Sequence, residues 1–276
     1  MNDAIDTMEE KILTWLNKNG YPLEMRIARD LAINEFDVTQ SHFYKDFETN
    51  EPREIDVIGR LYDYIEPKSY VSIAELETFV EVECKSTSKP WVVFCESKPR
   101  TWNIEQALCN EAGKKLLIRS QTNLKSTMLV QSGSIAGHGV AQAFGGGEDT
   151  PYKAVMSALK AAEAKARNSL ARESNDKKNE KNTEVSLSNI VIAAVAISSP
   201  LFECRINEGG DMELKRVENS ALVFRYPRGR SDFVAGAIVH IVTESGWQKF
   251  MDGIKEFHNV TKKKLETMIP PEDSCA

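Results

Sequence analysis

Cysteine and histidine are scarce in this sequence, and long apolar runs are missing. The 276 residues include five cysteines and four histidines, and the cysteines show no paired spacing. An odd number of scattered cysteines argues against a disulfide framework or a zinc site and favours a reducing compartment. The longest apolar run, residues 190–197, is far too short to cross a bilayer. We therefore expect a cytoplasmic protein without a membrane partner.

A surplus of positive charge is also absent. The chain has 41 acidic residues against 35 lysines and arginines, a net charge of −6. Nucleic-acid binding is driven largely by neutralisation of phosphates, so this balance predicts no general affinity for nucleic acid. It does not exclude a nucleic-acid enzyme, because the local distribution of charge matters more than the sum. The first residues also lack the basic and apolar regions of a secretory signal, which agrees with a cytoplasmic protein.

The most informative stretch is residues 79–85, Phe-Val-Glu-Val-Glu-Cys-Lys. It is rich in β-branched and aromatic residues without glycine or proline, and therefore predicts a strand. Because side chains alternate across a strand, Glu81, Glu83 and Lys85 share one face, and the apolar residues between them share the other. One face suits a core. The other collects two carboxylates and an ammonium group.

Residues 53–60 predict a neighbouring strand with Asp56 in its middle. Ile55 and Val57 are expected on one face and Asp56 on the other. If the two strands pair, Asp56 approaches Glu83. Two carboxylates about 4 Å apart repel by roughly 4 kcal/mol at an effective dielectric near 20. A divalent cation would reverse that repulsion, and oxygen ligands suit Mg²⁺ or Mn²⁺.

These two segments resemble the PD-(D/E)XK, or restriction-endonuclease-like, nucleases. Ile55-Asp56 is similar to the acidic motif of that family, with isoleucine in place of proline, and Glu83-Cys84-Lys85 is similar to its (D/E)-x-K tripeptide. A predicted helix carries Glu24, where many members have an additional glutamate, and a predicted strand over residues 36–47 follows it. The resemblance covers roughly the first third of the chain by motif and the remainder by order of elements.

The resemblance implies an α/β fold with a restriction-endonuclease-like core. The elements would follow the order α-β-β-β-α-β and form a central mixed sheet flanked by helices, with a long insertion and extra C-terminal strands and a helix. Residues 1–276 would form a single nuclease-like domain. Within it, residues 1–85 would carry the motifs, residues 86–150 the insertion, and residues 151–276 the crossover helix, the remaining strands and the last helix.

The resemblance further implies a metal-dependent endonuclease that hydrolyses phosphodiester bonds of DNA or RNA. Asp56, Glu83 and the main-chain carbonyl of Cys84 would bind Mg²⁺ or Mn²⁺, with Glu24 as an additional ligand, and Lys85 would position the attacking water. The partner would be a nucleic acid, DNA in the first place, and a homodimer could cut both strands. The candidates for nucleic-acid contact are Ser86, Lys89 and Tyr44.

The same residues could also have purely structural roles. Asp56, Glu83 and Lys85 could form an inter-strand ion pair, which stabilises little at a surface. Glu24 could serve only to stabilise the first turn of its helix, and Glu81 is either a reserve ligand or a partner of Lys85. The alternative function is a catalytically inactive nucleic-acid-binding or protein-interaction module on the same scaffold.

The remaining patterns predict the outer elements. An apolar stripe predicts a helix over residues 5–16, and alanine-rich periodicity predicts a helix over residues 151–173 that packs closely on a sheet. The glycine-rich stretch 133–139 lacks the ending of a phosphate-binding loop and is interpreted as a connection, with His138 in a loop. Trp91 and Phe94 are expected in the core. Further helices are predicted over residues 103–118 and 247–268, and further strands over residues 190–197, 202–206, 212–217, 221–226 and 233–242.

Overall fold

A computed structural model of the chain describes residues 7–65, 72–96, 107–119, 137–145, 149–176, 184–225 and 236–268. Several predicted segments extend beyond these ranges. The parts that lie outside the described residues are residues 5–6, 103–106, 133–136, 226 and 233–235.

The described residues form five α-helices and eleven strands. The helices are α1 (Met8–Lys18), α2 (Tyr21–Ile33), α3 (Glu111–Arg119), α4 (Thr150–Asp176) and α5 (Trp247–Met268), with a 3₁₀ turn at Glu244–Gly246. The strands are β1 (Asp37–Lys45), β2 (Pro52–Ile65), β3 (Ser72–Lys85), β4 (Trp91–Cys95), β5 (Leu108–Cys109), β6 (Gly137–Gln142), β7 (Glu184–Ile197), β8 (Leu201–Ile206), β9 (Met212–Val217), β10 (Asn219–Arg225) and β11 (Gly236–Thr243). None of the described helices has the length and apolar character needed to span a membrane.

All of these strands join one mixed sheet in the order β1-β2-β3-β7-β11-β10-β6-β4-β8-β9, and β5 pairs with the middle of β7. β1, β2 and β3 are antiparallel neighbours, whereas β7 runs parallel to both β3 and β11. Helices cover both faces. The predicted mixed α/β architecture with a central sheet flanked by helices is therefore confirmed.

Small residues let α4 lie close to one face of the sheet. Its inner positions are fully or almost fully buried alanines, as the sequence predicts, and they pack against β3 and β7. The other face is covered by α2, α3 and α5, whose apolar positions recur at helical spacing. The buried apolar residues of α5 are Trp247, Phe250, Met251, Ile254 and Phe257.

The helix predicted over residues 103–118 begins later than expected. Leu108 and Cys109 instead form β5, antiparallel to β7. The side chain of Asn110 accepts a hydrogen bond from the Gly113 amide at 2.8 Å, which is the pattern of an N-cap, and α3 follows directly. The cap therefore sets the boundary that apolar periodicity alone placed too early.

The glycine-rich segment is a strand where it is described, so its interpretation as a connection is wrong. Residues 137–142 form β6 between β4 and β10, and His138 is a strand residue. A Cβ on Gly137 would lie 2.3 Å from Cγ1 of Val93, so the glycine is needed for close strand packing. Residues from the predicted insertion thus supply strands to the common sheet. Of the two aromatic residues expected in the core on β4, Trp91 is fully buried but Phe94 is 40% exposed.

The apolar stripe of α1 does not enter the core. None of the residues of α1 is buried. The helix is instead fixed by its ends: Thr7 and Glu10 form a capping box, and the Asn19 side chain donates to the Trp15 carbonyl at 2.7 Å. The apolar face of α1 therefore remains uncovered, and the helix packs next to α2.

The close approach at β6 generates a stability prediction. Gly137→Ala should lower the free energy of unfolding by about 1–3 kcal/mol, because the new methyl group meets a stiff, fully buried valine. Gly139→Ala in the same strand is the control, since its Cβ would meet only Phe94 at 3.6 Å. Urea denaturation of both variants measures the difference. Equal stability of the two variants would contradict the proposed packing.

Candidate active site

Asp56 lies where β2 separates from β3. The two strands pair from Val57, opposite Val82, to Ile65, so Asp56 is the first residue beyond the ladder. Its Oδ2 accepts a hydrogen bond of 2.6 Å from the main-chain amide of Cys84. The carboxylate therefore takes the place of a strand partner and is held against the end of β3.

The backbone around Asp56 is irregular on its other side as well. The β1–β2 register runs from Gln40–Val57 to His42–Ile55 without a Ser41–Asp56 pair, and Ser41 has a φ of 51°. The expectation that Ile55 and Val57 share a face is wrong: Ile55 packs in the cluster beneath α4, and Val57 packs in the cluster beneath α2 and α5. This interruption of strand alternation accompanies the placement of the carboxylate.

Glu83 is the buried centre of the candidate site. It is 7% exposed, and its two oxygens are bound separately. Oε1 pairs with the Lys85 Nζ at 2.6 Å, and Oε2 accepts a hydrogen bond of 2.7 Å from the Ser157 hydroxyl of α4. Tyr44 donates to the Ser157 carbonyl at 3.4 Å. β3 and α4 therefore bind this carboxylate directly, and β1 contributes through the contact of Tyr44 with Ser157.

Burial and like charge raise the pKa of Asp56 to about 7. Burial contributes most, and the nearby Glu83 carboxylate adds to it. The Cys84 amide and the Lys85 ammonium act in the opposite direction but do not cancel the effect. At neutral pH this aspartate is therefore divided between its protonated and ionised forms, which a bound cation would shift toward the ionised form.

Lys85 and Glu24 respond to the same charges. Burial alone would lower the pKa of Lys85, but the adjacent Glu83 and Asp56 carboxylates outweigh it and hold the pKa above its ordinary value. Burial raises the pKa of Glu24, Lys85 lowers it, and Glu54 and Glu83 raise it further. The structure thus places Glu24 within electrostatic range of the other predicted residues.

The main chain and the thiol of Cys84 face different environments. The thiol is buried in the cluster beneath α2 and α5, and burial raises its pKa well above the ordinary range. The Lys85 carbonyl accepts from the Ser198 amide beyond β7, so the main-chain groups of Cys84 point the other way, toward Asp56. The predicted carbonyl ligand therefore points to the side of the site on which Asp56 lies.

The predicted nucleic-acid contacts differ in accessibility. Ser86 and Lys89 are exposed directly after β3, whereas Tyr44 is buried and reaches the site only through Ser157. A surface role suits the first two residues. Tyr44 instead supports the residue that holds Glu83.

A second charged cluster lies beside the site and was not apparent from the sequence. Asp46 is fully buried and pairs with Arg53 at 2.6 Å and with Lys160 at 3.0 Å, and Lys160 also binds Glu48 at 2.6 Å. Lys160 lies among the buried alanines of α4. Helical periodicity could not reveal it, because its carboxylate partners belong to the turn after β1.

The side chains available to hold a metal ion at this site are few. Within the described ranges, no group of three or more His, Cys, Asp or Glu residues is arranged to hold a metal ion. Glu24 therefore does not complete a three-side-chain cluster. Asp56, Glu83 and the Cys84 carbonyl remain, and Mg²⁺ in proteins commonly uses one or two carboxylates and keeps several waters.

Glu81 differs from Glu83 although they lie two residues apart on β3. It is 1% exposed, and its Oε1 has no hydrogen-bond partner among the described residues. Burial raises its pKa to about 7, partly opposed by Lys165. Glu81 is therefore a deeply buried carboxylate with incomplete compensation.

Sequence reasoning also missed a buried Thr–His–Asp chain. His258 of α5 binds Thr78 Oγ1 through Nδ1 at 2.8 Å and Asp63 Oδ2 through Nε2 at 2.9 Å. Lys262 donates to the other Asp63 oxygen at 2.6 Å. The residue types resemble a hydrolytic triad, but Thr78 is fully buried, so no substrate can reach it. The chain joins α5 to β2 and β3.

No protein-family model, curated protein or solved structure matches this chain.

Glu81 generates a pH prediction. Its pKa rises from an ordinary 4.5 to about 7 on folding, so the folded protein binds more protons between these values, and stability falls as pH rises through that window. Glu81→Gln should remove a decrease on the order of 3 kcal/mol between pH 5 and pH 8. Denaturant unfolding at both pH values without divalent ions measures it, with Glu208→Gln in an exposed turn as the control. An unchanged pH dependence in Glu81→Gln would refute this assignment.

Proposed function

We propose that this protein is a Mg²⁺- or Mn²⁺-dependent nuclease with a restriction-endonuclease-like core. The observation that carries the proposal is the convergence of Asp56, Glu83 and Lys85 where β2 and β3 separate. Three residues from two motifs, 27 to 29 positions apart by their numbers, share one electrostatic environment. Perturbed carboxylates beside a paired lysine are typical of functional sites.

The strand topology supports the same proposal. α2 is followed by the antiparallel strands β1, β2 and β3, and β7 lies parallel to β3 after α4 has crossed one face. With β4, β5, α3 and β6 set aside as elements of the predicted insertion between β3 and α4, these elements agree with the α-β-β-β-α-β order that the resemblance implies. The acidic residues lie on the first strands and the crossover helix supplies Ser157, so the order of elements also explains how the site is built.

The charges indicate a role for each residue. Asp56, Glu83 and the Cys84 carbonyl would hold the cation, which supplies Lewis-acid chemistry and neutralises phosphate charge when bound. Lys85 stays protonated at neutral pH because its pKa is raised, so it would orient water and stabilise negative charge rather than remove a proton. Glu24, within range of Lys85, would adjust the charge of the site.

The substrate of the proposed enzyme is DNA or RNA, with DNA as the first choice, and the proposed setting is the cytoplasm. A homodimer would allow cleavage of both strands of a duplex. The alternative is a catalytically inactive nucleic-acid-binding or protein-interaction module. Two observations favour that alternative: the lack of a three-acid cluster among the described residues and the uncovered apolar face of α1.

Cleavage assays test the catalytic assignment. Asp56→Ala and Lys85→Ala should each reduce Mg²⁺-dependent cleavage of plasmid, single-stranded DNA and RNA by at least about a hundredfold, because Asp56 would hold the cation and Lys85 would stabilise developing negative charge. Asp37→Asn and Lys215→Ala alter exposed strand residues of the same types and should leave cleavage unchanged. Wild-type levels of cleavage by both active-site variants would overturn the assignment, and no cleavage by the wild-type chain would favour the binding module.

Metal binding can be measured without activity. Mn²⁺ at one hundred times its dissociation constant should stabilise the wild-type chain by about 2.7 kcal/mol. Asp56→Asn and Glu83→Gln should abolish this gain, whereas Glu24→Gln should retain most of it, because Glu24 lies outside the minimal donor set. Calorimetric titration and thermal unfolding provide the readouts. Equal stabilisation of wild type and Asp56→Asn would exclude the proposed ligands.

A further inference from the structure

We propose that Trp15 and Tyr21 form a stacking platform for an unpaired nucleobase beside the candidate active site, so that the substrate class is single-stranded nucleic acid or a single-stranded end. This inference rests on the proposed function, because it assigns the substrate of the same site. It is carried by the exposure of the two rings, by the lysines that flank them and by their proximity to β3.

The two aromatic rings are close together and open to solvent. Their centroids are 5.6 Å apart with planes inclined by 33°, and Trp15 and Tyr21 are 55% and 44% exposed. Aromatic residues usually bury most of their surface, so this exposed pair is unusual. Trp15 lies on α1, which has no buried residue, and Tyr21 is the first residue of α2. Flat aromatic surfaces of this kind stack on bases without regard to sequence.

Basic residues lie on both sides of Trp15. Lys11 and Lys18 are four residues before and three residues after it, so all three side chains project from the same face of α1. Both lysines are exposed, and within the part of the chain that the structure describes neither forms an ion pair with a carboxylate. An aromatic ring between two ammonium groups is complementary to a base and its flanking phosphates. An apolar protein partner would not require that charge pattern.

The platform is adjacent to the catalytic candidates. Gly20, between the two rings in sequence, adopts a φ of 86°, and a Cβ on it would lie 3.4 Å from Cβ of Ser86, immediately after Lys85. Tyr21 precedes Glu24 by three residues on α2 and therefore shares its side of the helix. A single nucleic-acid strand whose base stacks on the two rings would pass Ser86 before it reaches Glu83 and Lys85.

Anisotropy titrations of the full chain in EDTA test this inference, because withholding divalent metal separates binding from metal-dependent cleavage. The probes are a fluorescein-labelled oligothymidylate and a labelled duplex of the same length. Wild type should bind the single strand more tightly than the duplex. Trp15→Ala and Tyr21→Ala should each weaken single-strand binding by roughly tenfold or more, and Trp15→Phe should retain most of the affinity.

The lysines have a separate signature. The slope of log affinity against log salt is negative, and the Lys11→Ala/Lys18→Ala double variant should reduce its magnitude by about 1.4. This is the change expected when two single-strand phosphate contacts, and the counterions that they release, are lost. Tyr62→Ala, which removes a similarly exposed aromatic residue at the far end of β2, is the matched control and should bind like wild type. Circular dichroism confirms that each variant is folded.

The outcomes distinguish this inference from the proposed function. Lys85-dependent cleavage together with unchanged single-strand affinity in Trp15→Ala would overturn the platform and leave the nuclease intact. Weakened affinity in Trp15→Ala together with no metal-dependent cleavage by wild type would support the platform and overturn the nuclease. If Trp15→Ala instead disrupts a dimer in sedimentation without changing oligonucleotide affinity, the surface is an interface between copies and the inference is wrong.

Discussion

The hydrogen bond from the Cys84 amide to the Asp56 carboxylate is the interaction on which the candidate site depends. It forms where the β2–β3 ladder ends, so it satisfies a strand amide that would otherwise have no partner and holds a partly buried acid beside Glu83. Repulsion between the Asp56 and Glu83 carboxylates would by itself make this arrangement unfavourable. The Lys85 ammonium and the Ser157 hydroxyl offset it, and both depend on the placement of β3 against α4.

The buried glutamates on one face of β3 differ in how fully their charges are compensated by neighbouring groups. Glu77 is bound by Arg60 at 2.5 Å and by Asn189 at 3.2 Å, and Glu83 is bound by Lys85 and Ser157. Glu81, between them, keeps an unsatisfied oxygen in the interior. A buried carboxylate without full compensation decreases stability. β3 therefore carries two glutamates whose carboxylates are well paired and a third, Glu81, whose carboxylate is not. Glu81 lies close to the candidate active site.

Much of the first half of the fold could be predicted because its signals are local. Alternation marked β2 and β3, and the shared face of Glu83 and Lys85 follows from strand geometry. Pairing of β2 with β3 then brought Asp56 near them. The positive φ of Ser41 could not be predicted from residue alternation. It accompanies the irregularity in β2 that places Ile55 and Val57 on opposite faces of the sheet. His258 and Lys160 were also missed, because their partners lie far away in sequence.

The pairing of β3 with β7 has a consequence for folding during synthesis. Ser72 pairs with Glu184 and Lys85 with Ile197, so one edge of β3 has no partner until much of the chain has left the ribosome. Parallel pairing between such distant segments is slow, because loop closure precedes the gain from contacts. Until β7 arrives, the nascent chain presents a long edge of unpaired backbone groups, which is a site for chaperone binding or for misassociation.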